Sequence, residues 1–136
     1  MTEWVTLVPS IVFSRIKNNF SDEIKKQYNM TDENFSTVSK LNTDAVFPFV
    51  FVRSLASSEA GEDLEGNTIN AAFLSFQVDV YDNRTQSRAR NVMDEVIRIM
   101  KTMRFQVLSM PEFDASSDEP RITARFRRLI GSGDEL

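Results

Sequence analysis

From Asn70 to Gly131 the apolar and polar positions follow two different periods in turn, with little filler between them. Ala72, Leu74, Phe76, Val78 and Val80 alternate with Phe73, Ser75, Gln77, Asp79 and Tyr81. A period of two places these sets on opposite faces of a strand. One apolar set and one semi-polar set predict an antiparallel strand with a single face on the core. After Asp82-Asn83 the period changes. Ala89, Val92, Met93, Val96, Ile99, Met100 and Met103 fall on one helical stripe, with Ile97 on its flank, and Arg90, Asn91, Asp94, Arg98 and Lys101 lie opposite. This predicts an amphipathic helix ending near Met103, capped by Asp82 or Thr85 and laid across the apolar face of the Leu74–Val80 strand. Arg90–Asp94 and Asp94–Arg98 are spaced as i,i+4 ion pairs. A strand over Arg104–Phe113, an acidic turn and a last strand over Arg121–Ile130 follow. In the last strand Ile122, Ala124 and Phe126 face one way, and Arg121, Thr123, Arg125 and Arg127 the other. The sheet face away from the helix therefore carries Gln77 and Asp79 from one strand and Arg125 and Arg127 from another, a polar face that a monomer could solvate or an oligomer could use as a subunit contact.

Upstream the pattern is thinner. Val12, Ile16 and Phe20 recur every four residues, with Val8 and Phe13 beside them, which predicts an N-terminal helix over 9–20 with Pro9 confined to its first turn. Ser21-Asp22-Glu23 can open a short further turn carrying Ile24 and Tyr28. The mixed polar stretch from Asn29 to Asp44 reads as a loop. Val46–Arg53 is β-branched and aromatic and reads as a strand, with Pro48 at its start or on an edge. Ser57–Asn67 reads as a long acidic loop. The expected fold is α/β (α+β): a mixed, mostly antiparallel sheet of about four strands, with an N-terminal helix and one long amphipathic helix on one face. A single domain spans residues 1–136: helix and loop over 1–45, sheet–helix core over 46–131, and a polar tail over 132–136.

The 136 residues contain no cysteine and no histidine and carry a net charge of −4. Disulfides and thiolate metal sites are excluded, and the commonest general base is missing. Catalysis would rest on carboxylates, Lys, Tyr or Ser. The acids crowd into two stretches: Glu59, Glu62, Asp63 and Glu65 in one, Asp114, Asp118 and Glu119 in the other. These read first as solvated turns and are candidate loop contacts in an assembly. Such a bias is the reverse of a nucleic-acid binder's. No run nears the roughly 20 apolar residues of a membrane span, and the first residues lack the marks of a signal peptide. There is no glycine-rich phosphate loop, no Cys/His pattern and no EF-hand spacing, so neither metal nor cofactor is expected and no catalytic residue is assigned. Asp79 is the one acid in a strongly patterned strand, and its plain reading is an exposed residue or a salt-bridge partner of a neighbouring Arg.

Phe76-Gln-Val-Asp-Val-Tyr-Asp82, Ala89-Arg90 and Val96-Ile97 in a helix, Arg104-Phe105, Met110-Pro-Glu-Phe113 and Pro120-Arg-Ile-Thr-Ala-Arg-Phe126 together resemble the tail terminator or tail-completion proteins of long-tailed phages, over roughly residues 46–131. The resemblance rests on element order and short degenerate motifs. It implies a mixed sheet with helices on one side and a ring, typically of six subunits, that caps the finished tail tube and docks to the head–tail connector. The implied partners are further copies of the chain, the major tail tube protein and the connector or stopper protein. DNA passes through the lumen without specific binding, and the setting is the virion tail or neck, assembled in the host cytoplasm. The resemblance brings no catalytic residues. Gln77, Asp79, Arg125 and Arg127 are then the candidate subunit interface, and Glu59, Glu62, Asp63 and Glu65 the candidate loop contacts. Other readings are a head-completion or connector protein of the neck, a non-viral α+β binding module working as monomer or dimer, and an enzyme using Asp79 and Tyr81.

Overall fold

A computed structural model describes residues 3–37, 46–55, 58–62, 69–82, 85–114, 121–131, 134 and 136. The chain is α+β. Helices α1 (Glu3–Asn19) and α2 (Asp22–Gln27) come first, then a 3-10 turn at Asp32–Asn34 and a two-residue strand β1 (Phe35–Ser36). Strands β2 (Phe49–Ser54), β3 (Ser58–Glu62) and β4 (Ile69–Tyr81) precede helix α3 (Gln86–Thr102), and β5 (Gln106–Asp114) and β6 (Arg121–Gly131) follow. The sheet order is β1-β2-β4-β6-β5, with β3 also on β4. Among the described residues only β1–β2 is parallel.

Among the described residues the sheet therefore has six strands, two more than the pattern predicts. Both additions come from stretches read as loop. β1 follows a capping box in which the Thr31 hydroxyl accepts from the Glu33 amide and the Asn34 side chain accepts from the Thr31 amide at 2.8 Å. The same Asn34, wholly buried, donates to the Pro48 carbonyl at 2.8 Å, so a 3-10 turn and the start of β2 are clamped by one side chain. A buried amide satisfied on both ends is a local stabiliser that hydrophobic periodicity does not register. Pro48 precedes β2, as its missing N–H demands. β3 lies inside the acidic loop and pairs Ser58 with Phe73 and Glu62 with Ile69, through register shifts at Gly61. It has no apolar period to announce it.

α1 begins at Glu3, so Pro9 sits inside the helix and not in its first turn. The missing hydrogen bond there is outweighed by the stripe Val8, Val12, Ile16 and Phe20, all buried. The Phe20 ring meets Phe35 edge-on at 5.1 Å, which ties the helix end to β1. α3 presents the predicted stripe: Ala89, Val92, Met93, Val96, Ile99, Met100 and Met103 are each at most 1% exposed. They join Leu74, Phe76, Val78 and Val80 of β4, Ile122, Ala124 and Phe126 of β6, and Val50 and Val52 of β2 in one core. Both long helices thus lie on one face of the sheet.

Thr85 is the N-cap of α3, its hydroxyl accepting from the Arg88 amide at 3.1 Å. Asp82 does different work. It is buried and takes a two-pronged contact from Arg88, whose Nε reaches Oδ2 at 2.6 Å and whose second nitrogen reaches Oδ1. That carboxylate is the chief reason the Arg88 guanidinium is held above its usual pKa. Arg98 turns to Glu95 and not to Asp94, with Nε–Oε1 at 2.7 Å. Glu95 also accepts the Ser21 amide at 2.6 Å, so one buried carboxylate joins α3 to the α1–α2 corner. The Arg98 contact first, and then the Ser21 amide, outweigh burial and hold the Glu95 carboxyl below its ordinary pKa. α3 ends with Arg104 at φ 66°, the Arg104 amide on the Lys101 carbonyl and the Phe105 amide on the Met100 carbonyl. This is a Schellman ending with an arginine where glycine is usual.

Candidate subunit-contact face

The face of the sheet away from α1 and α3 is a grid of registered side chains. Arg53 of β2, Gln77 of β4 and Arg125 of β6 stand in one row. Phe51, Asp79 and Thr123 form the next, and Phe49, Tyr81 and Arg121 the one beyond. On the other side, Ser75 pairs with Arg127 and Phe73 with Leu129. All four residues singled out from the sequence, Gln77, Asp79, Arg125 and Arg127, therefore share this face, as alternation predicts.

They do not share an environment. Gln77 is 4% and Asp79 1% exposed in the single chain, whereas Arg125 and Arg127 are exposed. Asp79 is neither the solvated residue nor the Arg-paired residue that its sequence context suggests. Thr123 donates to its Oδ1 at 2.6 Å, and the Gln77 amide nitrogen donates at 3.2 Å. Gln77 in turn accepts from Arg125 Nε at 3.0 Å. The relay runs Arg125, Gln77, Asp79, Thr123, across two strands. A buried carboxylate needs such donors, because an unsatisfied one costs several kcal/mol, roughly 3–5 for a broken buried pair. Phe51 and Thr123 stand on either side of Asp79 in its own row.

Aromatic rings organise the remaining cations. The Arg127 guanidinium lies 4.9 Å from the Phe73 ring centroid and that of Arg53 lies 5.8 Å from Phe51. Arg121 donates to the Tyr81 hydroxyl at 3.2 Å, and the Tyr81 ring tilts against Phe49 at 6.2 Å. Leu129 is half exposed at the end of the face. Arg53, Phe51, Phe73 and Thr123 are the members that the first selection of four left out. Carrying the alternation of Val50 and Val52 across β2 brings in Phe51 and Arg53, and the last strand's own alternation holds Thr123.

Of the candidate loop contacts, Glu59 and Glu62 belong to β3, and Asp63 and Glu65 lie outside the described residues. Asp114 ends β5, while Asp118 and Glu119 are likewise outside. Two clefts border α1. The larger, of about 570 Å³, lies between Pro9, Phe13 and Lys17 on the helix and Val52–Ser54 of β2; neither is lined by Asp79 or Tyr81. Among the described residues no group of three or more acidic side chains is placed to hold a metal ion. No described helix is long and apolar enough to cross a membrane. No protein-family model matches the chain and no curated protein matches it.

Proposed function

We propose that the chain is a structural subunit of a phage tail: a tail terminator that assembles as a closed ring, ends the tail tube and joins it to the head connector. The observation that carries this reading is the one-sided sheet. Both long helices cover one face, and the other presents ordered arginines held by a buried relay and by aromatic rings. Rigid, registered cations of this kind fix orientation between subunits more than they add affinity. The motif series from Phe76 to Phe126 supplies the tail-terminator assignment. Catalysis at Asp79 and Tyr81 is the weaker reading, since both Asp79 oxygens already accept protein hydrogen bonds and neither of the two clefts beside α1 opens on them.

A ring reading also makes sense of the charge. A conduit for DNA works without holding it, and a chain of net charge −4 repels phosphate within a Debye length of about 8 Å at physiological salt. Negative-stain electron microscopy of the purified protein is the test. Annular particles with a central opening are expected, and their co-purification with tail tubes from infected cells would place them. Particles without an opening at every concentration tried would overturn the proposal.

A further inference from the structure

The two long helices treat their outward sides differently. On α3 the side away from the core carries Arg90, Asp94, Arg98 and Lys101, all exposed. On α1 no charged residue stands between Glu3 and Arg15. Val8, Val12 and Ile16 bury one side of α1, yet Leu7 is 60% and Ile11 43% exposed on another. A helix that is apolar on more than one side is ordinarily buried on more than one side. Leu7 and Ile11 are one turn apart, about 6 Å along the axis, and form an apolar ridge. A different flank of α1 borders the cleft of about 570 Å³, lined by Pro9, Phe13 and Lys17 of the helix and by Val52, Ser54 and Phe76 of the sheet. From Pro9 to Lys17 the helix rises about 12 Å, so the cleft is long enough for a ridge of one turn. At about 100° per residue, the ridge and the Phe13–Lys17 wall stand about 120° apart round the helix, with Ser10 and Ser14 between them.

We infer that the Leu7–Ile11 ridge of one copy docks in the α1–β2 cleft of the next copy. The inference rests on the ring reading and adds a contact to the arginine face. The chain itself carries both halves: an aliphatic ridge, and a cleft whose apolar residues can take that ridge out of water. The cleft is continuous with the candidate contact face, because Arg53 lines it and also stands in the row of Gln77 and Arg125. A neighbour seated on that face therefore reaches the cleft past β2. Ridge and cleft are separate surfaces, which makes the contact heterologous and lets it propagate around a ring when the rotation closes. A lipid surface is the less fitting occupant. A helix that lies on a membrane carries lysine and arginine along its polar face, whereas the first three turns of α1 contain neither.

The chain has no cysteine, so introduced cysteines report the contact without background. Ile11→Cys and Ser54→Cys each replace an exposed residue. Co-expressed and then mildly oxidised, the two variants should give a disulfide-linked dimer that neither gives alone, since a disulfide needs Cα atoms within about 7 Å. The double variant Ile11→Cys/Ser54→Cys should give a ladder that ends at the ring multiple. Leu7→Glu/Ile11→Glu leaves the core untouched and should keep the wild-type circular-dichroism melt. In sedimentation velocity it should weaken self-association by ~10-fold or more, as loss of buried interface anchors does. Unchanged association in the glutamate variant, together with no mixed cross-link, would overturn the inference and leave a ring built on the arginine face standing. Lost association without the mixed cross-link would overturn the cleft as the receiving surface. A double-cysteine variant that stops at the dimer would overturn the head-to-tail sense in favour of a reciprocal pair. A wild-type chain that stays monomeric throughout would overturn both this inference and the ring. Flotation with phosphatidylcholine–phosphatidylglycerol vesicles that the glutamate variant alone loses, with association unchanged, would reassign the ridge to lipid.

Discussion

The two faces of β4 are made from alternate residues of one strand, yet they are held by different physics. Toward the helices, Leu74, Phe76, Val78 and Val80 are each at most 1% exposed and belong to the apolar core. Away from them, Gln77 and Asp79 are almost as buried, but they are kept there by directed hydrogen bonds from Thr123 and Arg125. Apolar burial is strong and indifferent to direction. A buried relay contributes little net energy and is costly to break, but it fixes where its end groups point. The first face holds the fold together; the second aims a pair of arginines outward.

Truncations on the two sides should separate these roles. Phe76→Ala removes a ring packed edge-on against Phe105 at 5.6 Å and should cost about 3–5 kcal/mol in chemical denaturation. A loss under about 1 kcal/mol would mean the core face has been misplaced. Asp79→Ala strands the Thr123 hydroxyl and the Gln77 amide and should cost ~1–3 kcal/mol. For the same reason Asp79→Lys, which would test an exposed acid cleanly, here buries an ammonium with no acid to pair with in the relay and should unfold the monomer, so a normal melt for Asp79→Lys would contradict the buried relay.

Glu95 is the helix layer's counterpart of Asp79: a buried acid, but one with an arginine and a backbone amide as donors. Its carboxyl is held below the ordinary range. The stabilisation is then fully present above the unfolded carboxylate pKa of roughly 4.3 and is lost as pH falls through the lower folded value. Glu95→Gln should therefore be destabilised by ~1 kcal/mol near neutrality. The gap from wild type should close in strong acid. A gap constant across that range would mean the ion pair adds nothing. The smallest effect belongs to Arg127→Ala, where a single exposed cation–π contact is lost; the melt should move by ~0.5–1 kcal/mol or less, while self-association weakens.

Most of this architecture is legible in the chain's periodicity. The α3 stripe, the β4 and β6 alternations and the shared face of Gln77, Asp79, Arg125 and Arg127 follow from spacing alone, because each element has one apolar side. What escapes has no such side. β1 is two residues held by the Asn34 clamp, and β3 is an acidic segment whose only claim to strand structure is the open edge of β4 beside it. Periodicity also assigns a direction to a side chain but not its cover. It places Asp79 away from the helices, yet only the structure shows that Asp79 is buried there with Thr123 and Gln77 as its donors. The Asp94–Arg98 spacing suits an ion pair, but Glu95 wins Arg98 because it also collects the Ser21 amide from a segment 74 residues away in sequence.

Native mass spectrometry of the purified wild-type chain tests the central claim most directly. A closed ring built through the arginine face gives one dominant species at a fixed small multiple of the 15.6 kDa subunit, six being the multiple expected of a tail terminator. That species should persist as the protein is diluted and fall apart when Arg125 and Arg127 are both reversed to glutamate. A spectrum of monomer alone, or a ladder of ever longer species with no closed state, would contradict it.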